Sequence, residues 1–211
     1  MIDPETAAPQ ALVSCCHDRG VPYLAISCAQ VFAARVGQAY VEDDAPNAGD
    51  RSGRRAASAQ ARIAALCPGA LIVRAGPLFG PWDGDSFAWR MLHALASGRQ
   101  PKTNAEIVSP SYLPDLLHVA LDLLIDGERG LWHLPNSGQA SWAELAMMLA
   151  ERAGLPPRPR VSATGSEMRM SALRSRRGAL LPPLESALDR FVGECEIEWK
   201  AKPNFARIAA E

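Results

Sequence analysis

Lysine is nearly missing from this chain. Of its 22 basic residues only Lys102, Lys200 and Lys202 are lysines, and the rest are arginine. A mechanism that needs an ammonium group to tune a neighbouring hydroxyl therefore has almost nowhere to find one. Five cysteines (15, 16, 28, 67 and 195) form an odd set with no C-x-x-C and no histidine at ligand spacing. That pattern argues against a disulfide framework or a zinc site and for a reducing compartment, so a cytoplasmic protein is expected. No apolar run approaches the ~18–20 residues of a membrane span. The start, Met1-Ile-Asp-Pro-Glu-Thr6, lacks the basic-then-apolar layout of a signal peptide. An excess of one charge is lacking too: the net charge is −1, which makes nucleic acid and membrane unexpected partners.

What is present is ordinary globular material. The 211 residues are 48% apolar, ample for a buried core. Residues 5–18 carry apolar positions at helical spacing, and Tyr23–Ser27 is a short apolar run that reads as a buried strand. Residues 33–52 read as loop around Asp43-Asp-Ala-Pro-Asn47. A helix is expected from Gly53 to Leu66, stopped by Pro68-Gly69, then a strand at Leu71–Val73. Helices follow at 86–97 and 115–125, the second opened by Pro114. Ile107-Val108 and Leu131–Leu134 are further strand candidates. Ser141-Trp-Ala-Glu144 is a capping box that launches a helix to about Ala153. Residues 155–180 are rich in proline and arginine and read as irregular, before a last helix at 184–192. Strands alternating with helices imply an α/β architecture with a mostly parallel sheet.

Six segments in order carry a likeness: Leu24–Phe32, Tyr40–Pro46, Gly53-Arg54, Leu71–Arg74 with Phe79-Gly-Pro81, Val108–Leu116, and Gly130–Leu134 before Ser141–Glu144. Over residues 10 to 193 the chain resembles dTDP-4-dehydrorhamnose reductase, the RmlD branch of the extended short-chain dehydrogenases. It also resembles the version fused behind a glycosidase-like domain in some bacteria. The resemblance implies a partial Rossmann-like parallel sheet without its first βαβαβ half. Residues 1–100 would be a remnant of that core, 101–193 the small substrate-binding region, and 194–211 a tail of unknown role.

The family reduces a 4-keto sugar nucleotide with NADPH, using a Tyr as proton donor, a Lys four residues later, and a Thr at the preceding strand end. A Lys one helical turn on shares the Tyr's face, where its charge lowers the hydroxyl pKa. Aligned on Gly53-Arg54, the Tyr position holds Ser52, the Lys position Ala56, and the Thr position Cys28. Tyr23, Tyr40 and Tyr112 do not rescue the pattern, because none has a Lys four residues on. The glycine-rich phosphate turn lies upstream in the family. Gly76-x₃-Gly80-x₃-Gly84, interrupted by Pro77 and Pro81, is spaced wrongly to replace it.

The expectation is therefore a sugar-nucleotide-binding-type domain with no catalytic residues, no NADPH site and no reductase activity as an isolated chain. A dTDP-sugar is its expected ligand, with Arg74, Ser109, Ser111 and Tyr112 as substrate-binding residues because they follow strands, where open α/β sheets gather ligands. Two alternatives stand beside it. One is a non-catalytic regulatory or interaction subunit, with a protein partner or a second copy pairing through an exposed sheet edge at residues 23–27. The other is a non-functional gene remnant. Cys28 and the Cys15-Cys16 pair read as packing residues, and the four histidines, scattered singly, as non-ligands. Asp43-Asp44 reads as a solvated loop. Two arginine groups, 51/54/55/62 and 158/160/169/174/176/177, read as solvated surface or as anchors for a diphosphate.

Overall fold

The computed structural model describes residues 10–156, 160–161 and 169–201. Along the chain run α1 (Gln10–Asp18), β1 (Leu24–Cys28), β2 (Arg35–Val36), α2 (Arg51–Leu66), β3 (Leu71–Ala75), β4 (Leu78–Phe79) and α3 (Phe87–Ala96). Then come β5 (Lys102–Thr103), β6 (Ile107–Val108), β7 (Ser111–Tyr112), α4 (Leu113–Ile125) and β8 (Gly130–His133). The last part holds β9 (Asn136–Ser137), β10 (Ala140–Ser141), α5 (Trp142–Arg152), β11 (Arg160–Val161), β12 (Arg169–Met170), β13 (Leu181–Pro183) and α6 (Leu184–Ala201).

The central sheet is parallel, in the order β1-β3-β8, with Leu24 opposite Leu71 and Leu71 opposite Gly130. β3 is buried along its whole length, as a strand covered on both faces must be. On one face Ala25, Ile72 and Leu131 meet Val13 of α1 and Ile63 and Leu66 of α2. On the other, Leu24, Leu71, Val73 and Trp132 meet Leu116, Ala120 and Leu123 of α4. This is the α/β arrangement with a parallel sheet expected from the alternation of periods. A second packing centre joins α3, α5 and α6 around Leu92, Leu149, Leu188 and Phe191.

Local chemistry sets the helix starts. Asp50 caps α2 by accepting from Gly53 N at 2.7 Å, and Ser86 caps α3 through Trp89 N. Ser141 and Glu144 form the expected capping box on α5, at 3.1 and 2.8 Å. Two stretches differ from expectation. The described parts of 155–180 are not wholly irregular, since β12 pairs with β2 and β6. The last helix runs on to Ala201, so the segment expected as a tail begins in helix, while 202–211 lie outside the described residues.

One polar joint fastens α6 to the rest. Arg190 holds Asp115 with two hydrogen bonds, at 2.5 and 2.6 Å, and Asn136 Nδ2 adds a third at 3.1 Å. Burial raises the Asp115 pKa, but these donors outweigh it and hold the carboxyl below the usual range. Asn136 also accepts from Tyr112 N at 2.6 Å and donates to Pro182 O. Asp115→Ala should therefore cost about 2 kcal/mol, the value for hydrogen bonds to a charged group, kept modest by the solvent around Arg190. The midpoint of urea unfolding measures it, and an unchanged midpoint would contradict the assignment.

Candidate functional site

The C-terminal ends of β1, β3 and β8 lie side by side, closed from one side by the first turns of α2. β1 ends at Cys28, where a single 3₁₀ turn over Ala29–Val31 leads into the loop. α2 presses directly on this turn: a Cβ on Gly53 would sit 2.0 Å from Gln30 O. Only glycine permits that approach. Ser52 is exposed on the same helical turn. Ala56, one turn on, is 8% exposed and packed with Ala29, Val31, Phe32, Tyr40 and Leu173. The Cys28 thiol faces Gln30 Oε1 at 3.8 Å. Burial pushes its pKa up, Asp50 adds to the rise, and Arg74 only partly opposes them. It stays a protonated thiol at neutral pH and is a poor nucleophile.

Arg74 is the most unusual member of the site. It is 1% exposed at the end of the central strand. Its Nε donates to Gln60 Oε1 of α2 at 2.9 Å, and its guanidinium lies over the Phe32 ring at 4.9 Å. Nη1 meets His133 Nε2 at 3.3 Å, while His133 Nδ1 faces the Arg174 carbonyl at 3.2 Å. Since a carbonyl only accepts, the network assigns the imidazole proton to Nδ1 and leaves Nε2 to accept from Arg74. Burial lowers the Arg74 pKa to about 10 against the pull of Glu42 and Asp44, so the group remains charged at neutral pH. Burial also lowers the His133 pKa; Glu42 opposes the shift and Arg74 reinforces it.

Glu42 was not anticipated from the sequence. Its carboxylate accepts from His133 N at 3.0 Å, Ser175 Oγ at 2.6 Å and Arg176 N at 2.9 Å. Those bonds outweigh the upward push of burial and hold its pKa below the usual range. Asp44 accepts from Val41 N and Arg35, and Arg176 pairs with Asp43, so the acidic loop is partnered rather than merely solvated. The only early signal was the density of opposite charge in two distant stretches.

The other expected site residues do stand at strand ends, but their polar atoms are turned inward. Ser109 Oγ accepts from Leu173 N at 2.7 Å. Ser111 Oγ donates to Leu134 O at 2.9 Å and accepts from Gly76 N at 3.0 Å. Tyr112 OH donates to Glu194 at 2.9 Å; burial and that carboxylate push its pKa well above normal. Arg74, Ser109, Ser111 and Tyr112 are thus all buried and engaged within the protein.

The arginine-rich stretch mainly fastens. Arg169 donates to Ala34 O, and Arg177 covers the Trp132 ring. Arg54 of the earlier group donates to Gly49 O. Arg158 lies outside the described residues. Beside this joint a cavity of about 420 Å³ opens between Arg35, Gln38, Asp44 and Arg174. The Arg174 guanidinium meets no acceptor among the described residues. Among those residues there is also no cluster of metal-ligating side chains, and no helix long and apolar enough to cross a membrane.

Comparison with known proteins gives a family. Residues 4–200 match the RmlD substrate binding domain. The spore coat polysaccharide biosynthesis protein SpsK of Bacillus subtilis is 28% identical over 137 residues, which cover 64% of this chain and 48% of that protein. The probable low-salt glycan biosynthesis reductase Agl14 of Haloferax volcanii is 25% identical over 178 residues, covering 82% and 59%. The chain thus spans about half to three-fifths of the length of these curated relatives. Among solved structures, the dTDP-4-dehydrorhamnose reductase of Yersinia enterocolitica superposes with a TM-score of 0.76 at 20% identity, covering 88% of this chain and 71% of the other. The Bacillus anthracis enzyme in complex with NADP gives 0.76 at 23%, covering 88% and 69%. These two likenesses bear on the fold.

The buried histidine gives the site a pH signature. His133 has a folded pKa below its unfolded value, so the unfolded chain takes up the proton first. Its contribution to stability is complete above about pH 6.5 and is lost as pH falls through that value toward the folded pKa. Glu42, with a depressed pKa, loses its contribution only below about pH 4.5. Melting temperature should therefore drop in two stages on acidification, and His133→Gln should flatten the first while sparing the second. An unaltered first stage in that variant would contradict the assignment.

Proposed function

The chain belongs to the RmlD substrate binding domain family, and from that membership we propose that it is a sugar-nucleotide-binding-type domain without NADPH binding or reductase activity of its own. The observation that carries the second half of this reading is Ala56. In the resembled family that position holds the lysine that steers the catalytic tyrosine, and here it is a buried alanine, 8% exposed, within an apolar cluster. Ser52, at the tyrosine position, offers an aliphatic hydroxyl in place of a phenol of pKa about 10. Cys28, at the third position, is a thiol held protonated by burial.

The glycines at hand do not fit a dinucleotide pyrophosphate. Such a turn needs free backbone amides at the start of a helix. Gly76 spends its amide on Ser111 Oγ, and a Cβ there would lie 1.6 Å from Ser109 O, so it serves close packing of β3 against the β6–β7 connection. Gly80 abuts Leu113, and Gly84 abuts Trp89. No step of hydride transfer is assigned to the described residues.

A dTDP-linked sugar is the proposed ligand, at the C-terminal ends of β1, β3 and β8. Arg74, Ser109, Ser111 and Tyr112 stand behind this subsite, where their hydrogen bonds within the protein hold the strand ends in place. Arg174, bordering the 420 Å³ cavity, supplies a guanidinium for the diphosphate. The intact joint of Asp115, Arg190 and Asn136 and the complete capping box favour a specifically folded binding domain over a decayed remnant.

Purified chain mixed with NADPH and dTDP-4-keto-6-deoxy-L-mannose should oxidise no NADPH above the protein-free rate. Turnover proportional to protein concentration would overturn the non-reductase reading. Arg174→Ala should weaken binding of the dTDP-sugar about tenfold or more, the loss of one charge-assisted contact worth 1.5–3 kcal/mol. Unchanged affinity would remove Arg174 from the site.

A further inference from the structure

The walls of the 420 Å³ cavity come from segments far apart in the chain. Arg35, Gln38, Val41 and Asp44 belong to one wall, and Arg174 stands on the other. The first wall orders itself: Asp44 accepts from Val41 N at 2.9 Å and from Arg35 Nη2 at 3.1 Å, and Arg35 covers the Tyr40 ring at 3.8 Å. Arg174 has no such anchor. Its side chain is exposed, so its place depends on its backbone and on the residues that follow. Arg174 N donates to Tyr40 O at 2.8 Å, and its carbonyl accepts from His133 Nδ1 at 3.2 Å. The next two residues both reach Glu42: Ser175 Oγ donates to Oε1 at 2.6 Å, and Arg176 N donates to Oε2 at 2.9 Å. Oε1 also accepts from His133 N at 3.0 Å. Glu42 therefore stands where the Asp44 loop, the Arg174 segment and the end of β8 meet. It does not line the cavity, although Val41 and Asp44 beside it do.

We propose that Glu42 is the positioning residue of the ligand site: it holds the Arg174 guanidinium across from Arg35 and Asp44 without touching the ligand itself. The inference rests on the reading of Arg174 as the diphosphate contact. A carboxylate is the group this junction calls for. All three of these partners donate, and an ionised carboxyl group only accepts, through both of its oxygens. An amide of the same shape keeps one oxygen and turns an NH₂ toward a donor. In Glu42→Gln either Arg176 N or the pair of Ser175 Oγ and His133 N then loses its acceptor. The segment carrying Arg174 is released on its C-terminal side, while Tyr40 still holds it at Arg174 N. Binding falls because the guanidinium must be ordered again when the ligand arrives, a cost that the fixed junction removes beforehand.

Calorimetric titration of the full chain with a dTDP-sugar, run as a double-mutant cycle, tests the assignment. Glu42→Gln should weaken binding about three- to tenfold, the worth of one or two hydrogen bonds. In the Arg174→Ala background the same change should add nothing, because Glu42 acts only through Arg174. Ser175→Ala removes one donor and alters no charge, so it carries the test even where Glu42→Gln fails to fold. It should weaken binding about two- to fivefold and likewise add nothing to Arg174→Ala. Hydrogen exchange separates positioning from unfolding. In Glu42→Gln the Arg174 amide should exchange faster, while the amides of β3 keep their wild-type protection. Wild-type affinity in Glu42→Gln or Ser175→Ala beside a loss in Arg174→Ala, or losses that add in full, would overturn the positioning role and leave the ligand reading standing. No binding by the wild-type chain, or unchanged affinity in Arg174→Ala, would overturn the ligand reading and the positioning role with it.

Discussion

A guanidinium buried at the end of the central strand sets the terms for everything around it. Arg74 keeps its charge at neutral pH even with its pKa lowered to about 10, so its surroundings must replace water. Gln60 answers from α2, His133 from β8, and the Phe32 ring from the loop after β1. His133 can accept only because its other nitrogen donates to the Arg174 carbonyl, and its backbone is held by Glu42. Glu42 in turn holds Ser175 and Arg176. One buried charge thus ties two strands, one helix, the acidic loop and the arginine-rich segment into a single unit. Removing one of these partners is costly, because it leaves a buried charged group with an unsatisfied donor.

That unit lies at the C-terminal ends of the central strands, where the resemblance would put the family's chemistry. The positions that the resemblance pairs with the acid, the lysine and the strand-end hydroxyl hold Ser52, Ala56 and Cys28, and Ala56 belongs to one buried apolar cluster with Ala29, Val31, Phe32, Tyr40 and Leu173. What stays open to solvent is the neighbouring cavity edged by Arg35, Gln38, Asp44 and Arg174, whose mixed charge suits a polar, anionic ligand better than an apolar one.

Much of the frame was legible because its signals are local. The apolar runs of β1, β3 and β8, the stops at Pro68-Gly69 and the Ser141/Glu144 box each lie within a few residues of what they determine. Ile107-Val108 was legible as a short apolar strand, but the other two-residue strands were not, since two residues carry no periodicity. Glu42 and the joint of Asp115 with Arg190 were missed for another reason: their partners lie 91 and 75 residues away. The rule that strand ends gather ligands picked Arg74, Ser109, Ser111 and Tyr112 by their place along the chain and said nothing of which way they turn. Their polar atoms close hydrogen bonds within the protein, a choice made by the β6–β7 connection and by α6. The arginine-rich stretch, weighed as solvent-facing or diphosphate-binding, proved in its described part to be largely a fastening for the loops beside the site.

The central claim is a division between two ligands: the sugar nucleotide is retained and the nicotinamide cofactor is not. Calorimetric titration of the purified chain with a dTDP-sugar and with NADPH, in separate runs, tests it most directly. The account predicts saturable binding of the dTDP-sugar and no heat beyond dilution for NADPH. Saturable NADPH binding, or no binding of either, would contradict it.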